Sequence, residues 1–256
     1  MNQTVTNTPS RVAIVTGAAR RIGSVTASTL HARGMNVVIH YGRSKTDAEA
    51  IVRQLNSVRA NSATAIAADL ADDRAAHQIV DAALSLWGRL DVLVNNASTF
   101  YPTPLETLTV DETARQIDTL FASNYRAPLL LAQAATESLA ETRGCIVNMI
   151  DIHAYRPYPS HLIYGTAKAA LLMQTRALAL ELAPNIRVNG VAPGSILWPE
   201  GESAMSEKEQ ENVLRGIPLR RNGTPDDIAN MIAFLVSNEA NYITGQIISV
   251  DGGRSL

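Results

Sequence analysis

The chain has 256 residues, 46% of them apolar and 18% charged, with 22 basic against 24 acidic side chains. That supplies material for a buried core and excludes disorder throughout, while a net charge of −2 excludes a general nucleic-acid or membrane-surface binder, which needs a basic excess. A single cysteine, Cys145, forbids an internal disulfide, the five histidines include no HxxxH pair for a metal, and no apolar run approaches the roughly 20 residues of a membrane helix.

Residues 1–10 are polar, lack the basic start and apolar centre of a signal peptide, and read as a flexible tail before one domain over 11–256. A cytoplasmic protein is expected. Short β-rich runs then alternate with longer helical patterns. The runs are Val12–Thr16, Asn36–Tyr41, Ala63–Ala67, Asp91–Val94, Cys145–Ile150, Arg187–Val191 and Ile247–Val250. Between them, helical spacing covers about 21–33, 46–60, 72–87, 111–141, 162–182 and 225–237. Strands apolar on both faces, joined by helices, predict an α/β fold: a doubly wound parallel sheet of seven strands with helices on both faces. The segment 194–216, carrying Trp198, Pro199, Glu200 and Gly201, has no strand pattern and reads as a substrate loop with a short helix.

The first strand runs into Thr16-Gly17-Ala18-Ala19-Arg20-Arg21-Ile22-Gly23 and then a helix. Small residues there let backbone N–H groups approach a pyrophosphate, and the helix N-terminus adds a favourable dipole; a tight strand–helix turn without a ligand has the same spacing. A site for NAD usually places an acid about 20 positions further on to hold the ribose hydroxyl. Here Arg43-Ser44 stands in that place, and no acid comes before Asp47. A guanidinium suits a phosphate in charge and geometry, so Arg43, with Arg21 as a second cation, favours NADPH over NADH. Asp69, after the third strand, is placed to accept from the adenine amino group or to cap the next turn. Asn95-Asn96-Ala97 follows the fourth strand and would lie along the cofactor.

Tyr164 and Lys168, at i and i+4, share one helix face. An ammonium beside a phenol stabilises the phenolate and eases proton exchange. Taken together, Thr16-Gly17 to Gly23, Asn95-Asn96-Ala97, Asn124, Tyr164/Lys168, Pro193-Gly194 and Val250-Asp251-Gly252-Gly253 occur in the order seen in short-chain dehydrogenases/reductases, which the chain resembles over 11–256. The resemblance implies a Rossmann-type fold and a nicotinamide cofactor. It adds Arg20, Ile22, His40, Tyr41, Leu70, Pro193, Gly194 and Ser195 to the cofactor contacts, gives Lys168 the nicotinamide ribose, and has Asn124 order its helix and a relay water. It also implies a homotetramer built on the helical stretches 111–141 and 162–182.

Three departures from the family pattern carry more information. The middle glycine of the turn is Arg21, the serine thirteen residues before the tyrosine is Asp151, and the glycine after Asn-Asn-Ala is Ser98. All three resemble pteridine reductases, as do Gly17 to Arg21, His40 to Ser44 and Asn95 to Leu105. That implies reduction of a dihydropterin or dihydrofolate. Phe100 would stack on the flat heterocycle, Ser98 would bond its edge, and Arg21 would bridge cofactor phosphate and pterin. Asp151 and Tyr164 would deliver the proton that a C=N nitrogen takes as hydride adds to carbon. The plain alternatives for Asp151 are a loop cap or an ion pair with Arg156. Two rival functions are a carbonyl reductase of the same fold, acting on a ketone or acyl thioester, and a non-catalytic NADPH-binding regulator.

Overall fold

A computed structural model describes residues 10–198 and 205–256. All seven strands are present: β1 Val12–Val15, β2 Asn36–Tyr41, β3 Ala63–Ala67, β4 Val92–Asn95, β5 Cys145–Met149, β6 Arg187–Pro193 and β7 Ile247–Val250. They form one sheet, ordered β3-β2-β1-β4-β5-β6-β7, with every pair parallel.

Alternate strand residues feed two cores. Ala13 and Val15 of β1 pack with Ala27 and Leu30 of α1 (Arg21–Ala32), Leu55 of α2 (Lys45–Val58) and Ile228 and Ile232 of α8 (Pro225–Leu235). Val12 and Ile14 point the other way, onto Ile79 and Ala83 of α3 (Ala75–Trp87) and Leu131, Ala135 and Leu139 of α5 (Ala127–Thr142). Burial on both faces is why the inner strands β1, β2, β4, β5 and β6 read as largely apolar runs, while the edge strands β3 and β7 are only partly buried. The strand order reverses between β1 and β4, and the carboxyl ends there open the crevice in which such sheets bind ligands.

The helical stretch expected over 111–141 is divided. A capping box between Thr109 and Glu112 starts α4 (Val110–Phe121), a π turn follows at Ala122–Arg126, and α5 then continues. Ala127 donates to Ala122 O, one residue wider than an α-helical bond, and Pro128 has no N–H to offer Asn124. The helix expected from 72 begins at Ala75, because Asp72 folds back to accept from the Arg74 N–H. α6 spans Leu162–Glu181. Within 194–216 a capping box of Ser206 and Glu209 opens α7 (Glu207–Arg215). The proposed loop contacts Pro199, Glu200 and Gly201, and the tail up to residue 9, lie outside the described residues. Among the described residues, no helix is long and apolar enough to cross a membrane, and no group of three or more His, Cys, Asp and Glu side chains is placed to hold a metal ion.

Candidate active site

The turn after β1 is tied down from three sides. Gly17 takes a φ of +61°, and its N–H donates to His40 Nδ1 at 3.1 Å. With Nδ1 accepting, the proton sits on Nε2, which donates to Ala68 O at 3.1 Å. His40 is 2% exposed, and burial holds its pKa below the usual histidine value, so the neutral ring links the first three strand ends. The resemblance counts His40 with the cofactor contacts, and its ring bonds the turn that would carry them. Tyr41 is likewise buried in the core. Thr16 Oγ1 accepts from the backbone N–H groups of Asn96 and Ala97, while Asn96 Nδ2 donates to Thr16 O and Gly17 O. Gly23 admits no side chain, since a Cβ there would stand 2.3 Å from Gly17 O.

Arg21 keeps the left-handed backbone, φ +55°, that a glycine would adopt freely. Holding a long side chain there costs on the order of 1 kcal/mol, and it leaves the guanidinium exposed at the helix N-terminus. Arg20 turns away to pair with Asp47 at 2.6 Å. The acid nearest the end of β2 is thereby neutralised, and Arg21 and Arg43, both exposed, have no ion-pair partner among the described residues. Ser44 precedes α2 without capping it through its side chain. Asp69 is exposed and accepts from the Ala71 N–H at 3.0 Å, the turn-capping role, with half-buried Leu70 beside it. On the far side of the crevice, Gly194 donates to Val250 O, buried Pro193 ends β6, and Ser195 O accepts from Gly223. A turn that excludes a side chain at Gly23, at a helix N-terminus, suits the pyrophosphate of a nicotinamide dinucleotide.

At the other end, Asp151 leaves β5 and does two jobs. Its Oδ1 accepts from His153 N–H at 2.9 Å, capping a short 3-10 turn at Ile152–Ala154. Its Oδ2 accepts from the Tyr164 hydroxyl at 2.8 Å. Arg156 donates to Arg254 O and is not its partner. Capping and proton chemistry, set against each other by the sequence, coexist because a carboxylate has two oxygens.

Tyr164 is 4% exposed. Burial, and then the Asp151 charge, raise its pKa well above the usual phenol value, with hydrogen bonding to Ser98 pulling the other way. The sequence expects a phenolate eased by Lys168 together with a cationic nicotinamide; in this structure the charge bonded to the phenol is that of Asp151. The ammonium is aimed elsewhere, donating to Met149 O at 2.8 Å with Nζ 5.7 Å from the Tyr164 ring centre. The charge that meets the phenol is negative, which favours its neutral, proton-bearing form. Lys168 is 1% exposed, and burial lowers its pKa to about 8 against a smaller raising effect of Asp151.

Asn124, fully buried in the π turn, donates through Nδ2 to Thr99 O and Leu120 O and accepts from Ser98 Oγ at 2.7 Å. Phe100 is 53% exposed and meets Tyr164 edge to face at 4.8 Å. One face stacks on His161 at 4.6 Å, which leaves the other for a ligand. Sequence reasoning missed His161; its only signal was an aromatic heterocycle three residues before the tyrosine. Asp151 and Phe100 thus both touch Tyr164, Ser98 bonds Asn124, and the Lys168 Nζ lies 5.7 Å from the Tyr164 ring centre.

A family profile described as enoyl-(acyl carrier protein) reductase matches residues 17–255. The chain is 40% identical to pteridine reductase 1 of Leishmania tarentolae over 98% of both chains. It is 37% identical to a 3-oxoacyl-[acyl-carrier-protein] reductase of Staphylococcus aureus, covering 96% of this chain and 99% of that one. An uncharacterized oxidoreductase of Methylorubrum extorquens is also 37% identical, over 95% and 97%. Such relatives imply an oxidoreductase with a nicotinamide cofactor, and with a glycine turn, a buried Lys168 and the Tyr164 hydroxyl in their expected order along one parallel sheet, the chain belongs to the short-chain dehydrogenase/reductase family.

Proposed function

We propose that the protein is an NADPH-dependent pteridine reductase, converting a dihydropterin or dihydrofolate, and oxidised pterins as a further substrate, to the tetrahydro form. The observation that carries this reading is the Tyr164–Asp151 hydrogen bond of 2.8 Å, with the half-exposed Phe100 ring against the same tyrosine. A ketone needs donors for a developing oxyanion. A carboxylate at that position is a poor one. A C=N bond instead needs a proton for its nitrogen, and a carboxyl–phenol couple supplies one.

NADPH, when bound, supplies the hydride to the ring carbon. Arg43 and Ser44 would hold its 2′-phosphate, with Arg21 at the pyrophosphate and the pterin. Lys168 would hold the nicotinamide ribose, and the adenine would lie near Asp69 and Leu70. Phe100 fixes the plane of the heterocycle, and Ser98, whose hydrogen is given to Asn124, presents acceptor lone pairs to an amino edge. Tyr164 passes its proton to the ring nitrogen and takes one back along its hydrogen bond to Asp151, which relays a proton from solvent; the nitrogen gains one proton and the carbon one hydride. The raised Tyr164 pKa makes that replacement necessary, since a lone phenolate beside an ionised Asp151 is strongly disfavoured.

The test is NADPH consumption by the purified protein with dihydrobiopterin or dihydrofolate. Turnover of either supports the reading. No turnover with any pterin, beside good turnover of a ketone or acyl thioester, replaces it with a carbonyl reductase; saturable NADPH binding with no substrate-dependent oxidation replaces it with a regulator. As a family member the chain is further proposed to act in the cytoplasm as a homotetramer.

A further inference from the structure

Gln174, on α6, is 7% exposed and lies just under three helical turns beyond Tyr164. A glutamine amide buried at this depth needs partners for both its ends. With its nitrogen toward the Tyr125 carbonyl, Nε2 donates to Tyr125 O at 3.1 Å and Oε1 accepts from Leu129 N–H at 3.0 Å. The opposite orientation sets oxygen against oxygen and N–H against N–H. Tyr125 and Leu129 are separated by four residues, so these are the two groups that would bond each other in an uninterrupted α-helix. The glutamine amide bonds both of those groups, and a side chain inserted at such a pair is a recognised way of interrupting a helical ladder.

The interruption falls at Asn124. The helix could return a donor to the Asn124 carbonyl only from residue 128, in α-helical register, or from residue 129, in π register. Residue 128 is proline and has no N–H. The Leu129 N–H is taken by Gln174. The Asn124 side chain, meanwhile, is held by Thr99 O, Leu120 O and Ser98 Oγ in an orientation that depends on the wider π turn. A second polar link runs beside it: Thr175 accepts from Asn148 at 2.9 Å, and Asn148 accepts from Asn95 at 2.8 Å.

We propose that Gln174 is a positioning residue: its amide holds the helix open at Tyr125–Leu129, and so keeps Asn124 bonded to Ser98 and its carbonyl outside the helical ladder. Nothing in the comparisons assigns it a role. The inference rests on the reductase reading and on the family resemblance, which has Asn124 order its helix and a relay water. Gln174→Leu removes both amide groups and lets Tyr125 O and Leu129 N–H bond each other. Its kcat should fall about tenfold or more, a typical penalty for a misplaced catalytic group, with KM for NADPH within about twofold of the parent. Gln174→Glu should lose activity as pH rises and regain it as pH falls, because a protonated carboxyl again offers one donor and one acceptor. A crystal structure of Gln174→Leu should show residues 122–126 in α-helical register with the Ser98–Asn124 bond broken.

A kcat of Gln174→Leu within about twofold of wild type at every pH overturns the proposal, as does a variant structure with the π turn and the Ser98–Asn124 bond intact. Should that variant not fold, Gln174→Glu decides: a pH profile matching wild type overturns the proposal. A wild-type protein that reduces a ketone but no pterin sinks the pterin reading alone, and the comparison is then made on that ketone. Without any turnover, the variant crystal structure decides by itself.

Discussion

The Tyr164 hydroxyl donates to Asp151 Oδ2 at 2.8 Å, while the other oxygen of the same carboxyl caps the turn at His153. One side chain thus couples the proton carrier on α6 to the end of β5. Asp151→Asn keeps an oxygen for the cap and removes the charge; Asp151→Ser shortens the side chain as well. Both should lower kcat for pterin reduction by roughly 100-fold or more, the scale of a lost acid–base group, with NADPH affinity nearly intact. The charge effect has its own readout. An ultraviolet titration of Tyr164 should reach its phenolate at lower pH in Asp151→Asn than in wild type, since the Asp151 charge helps raise its pKa. An unmoved titration would mean that the carboxylate does not act on the phenol.

Lys168 should be a stability liability. Its folded pKa of about 8 lies below the ordinary lysine value of 10.5, so the unfolded chain binds the extra proton between those two values. Stability of the cofactor-free protein should therefore rise with pH through that window. At pH 7 the buried charge costs on the order of 3 kcal/mol. Lys168→Met should raise Tm by several degrees while abolishing turnover, measured by thermal denaturation without NADPH. A lower Tm in the variant would mean that the Met149 carbonyl repays the desolvation in full.

In the proposed function Arg43 sets the cofactor preference. Because Asp47 is neutralised by Arg20, no acid among the described residues offsets Arg43. Arg43→Ala should weaken NADPH by about 10- to 100-fold, equivalent to losing one charge-assisted hydrogen bond of roughly 1.5–3 kcal/mol. NADH binding should barely change. Equal losses for the two cofactors, read by fluorescence titration, would remove the arginine from the 2′-phosphate.

Phe100 is half exposed, so its removal should hardly affect the fold. Phe100→Ala should raise KM for dihydropterin by about tenfold, the worth of one aromatic stack at roughly 1–1.5 kcal/mol, and leave the dissociation constant of NADPH unchanged. Phe100→Tyr should restore most of the loss. If pterin KM is indifferent to Ala, the exposed face of the ring is not the binding plate.

His161 shows where reading the sequence stopped. It is far from Phe100 in the chain, and only the descent from Thr103, whose N–H donates to Ser160 O, brings the two rings together. Gln174 is the same kind of case. A polar residue within a mostly apolar helix gave no hint of its partner, because that partner is a gap in another helix.

What the sequence by itself determined is the sheet and the chemical identity of the site. The inner strands β1, β2, β4, β5 and β6, buried on both faces, leave largely apolar runs, and the Arg21, Ser98 and Asp151 departures stand in the chain as plain residue types. Tertiary structure alone decided which acid each arginine meets, that 111–141 is divided at a π turn, and that Tyr164 faces a carboxylate while Lys168 faces a backbone carbonyl. The reason is physical: strand burial is encoded locally in side-chain polarity, whereas a hydrogen-bond partner and the charge beside a phenol depend on distances between segments far apart in the chain.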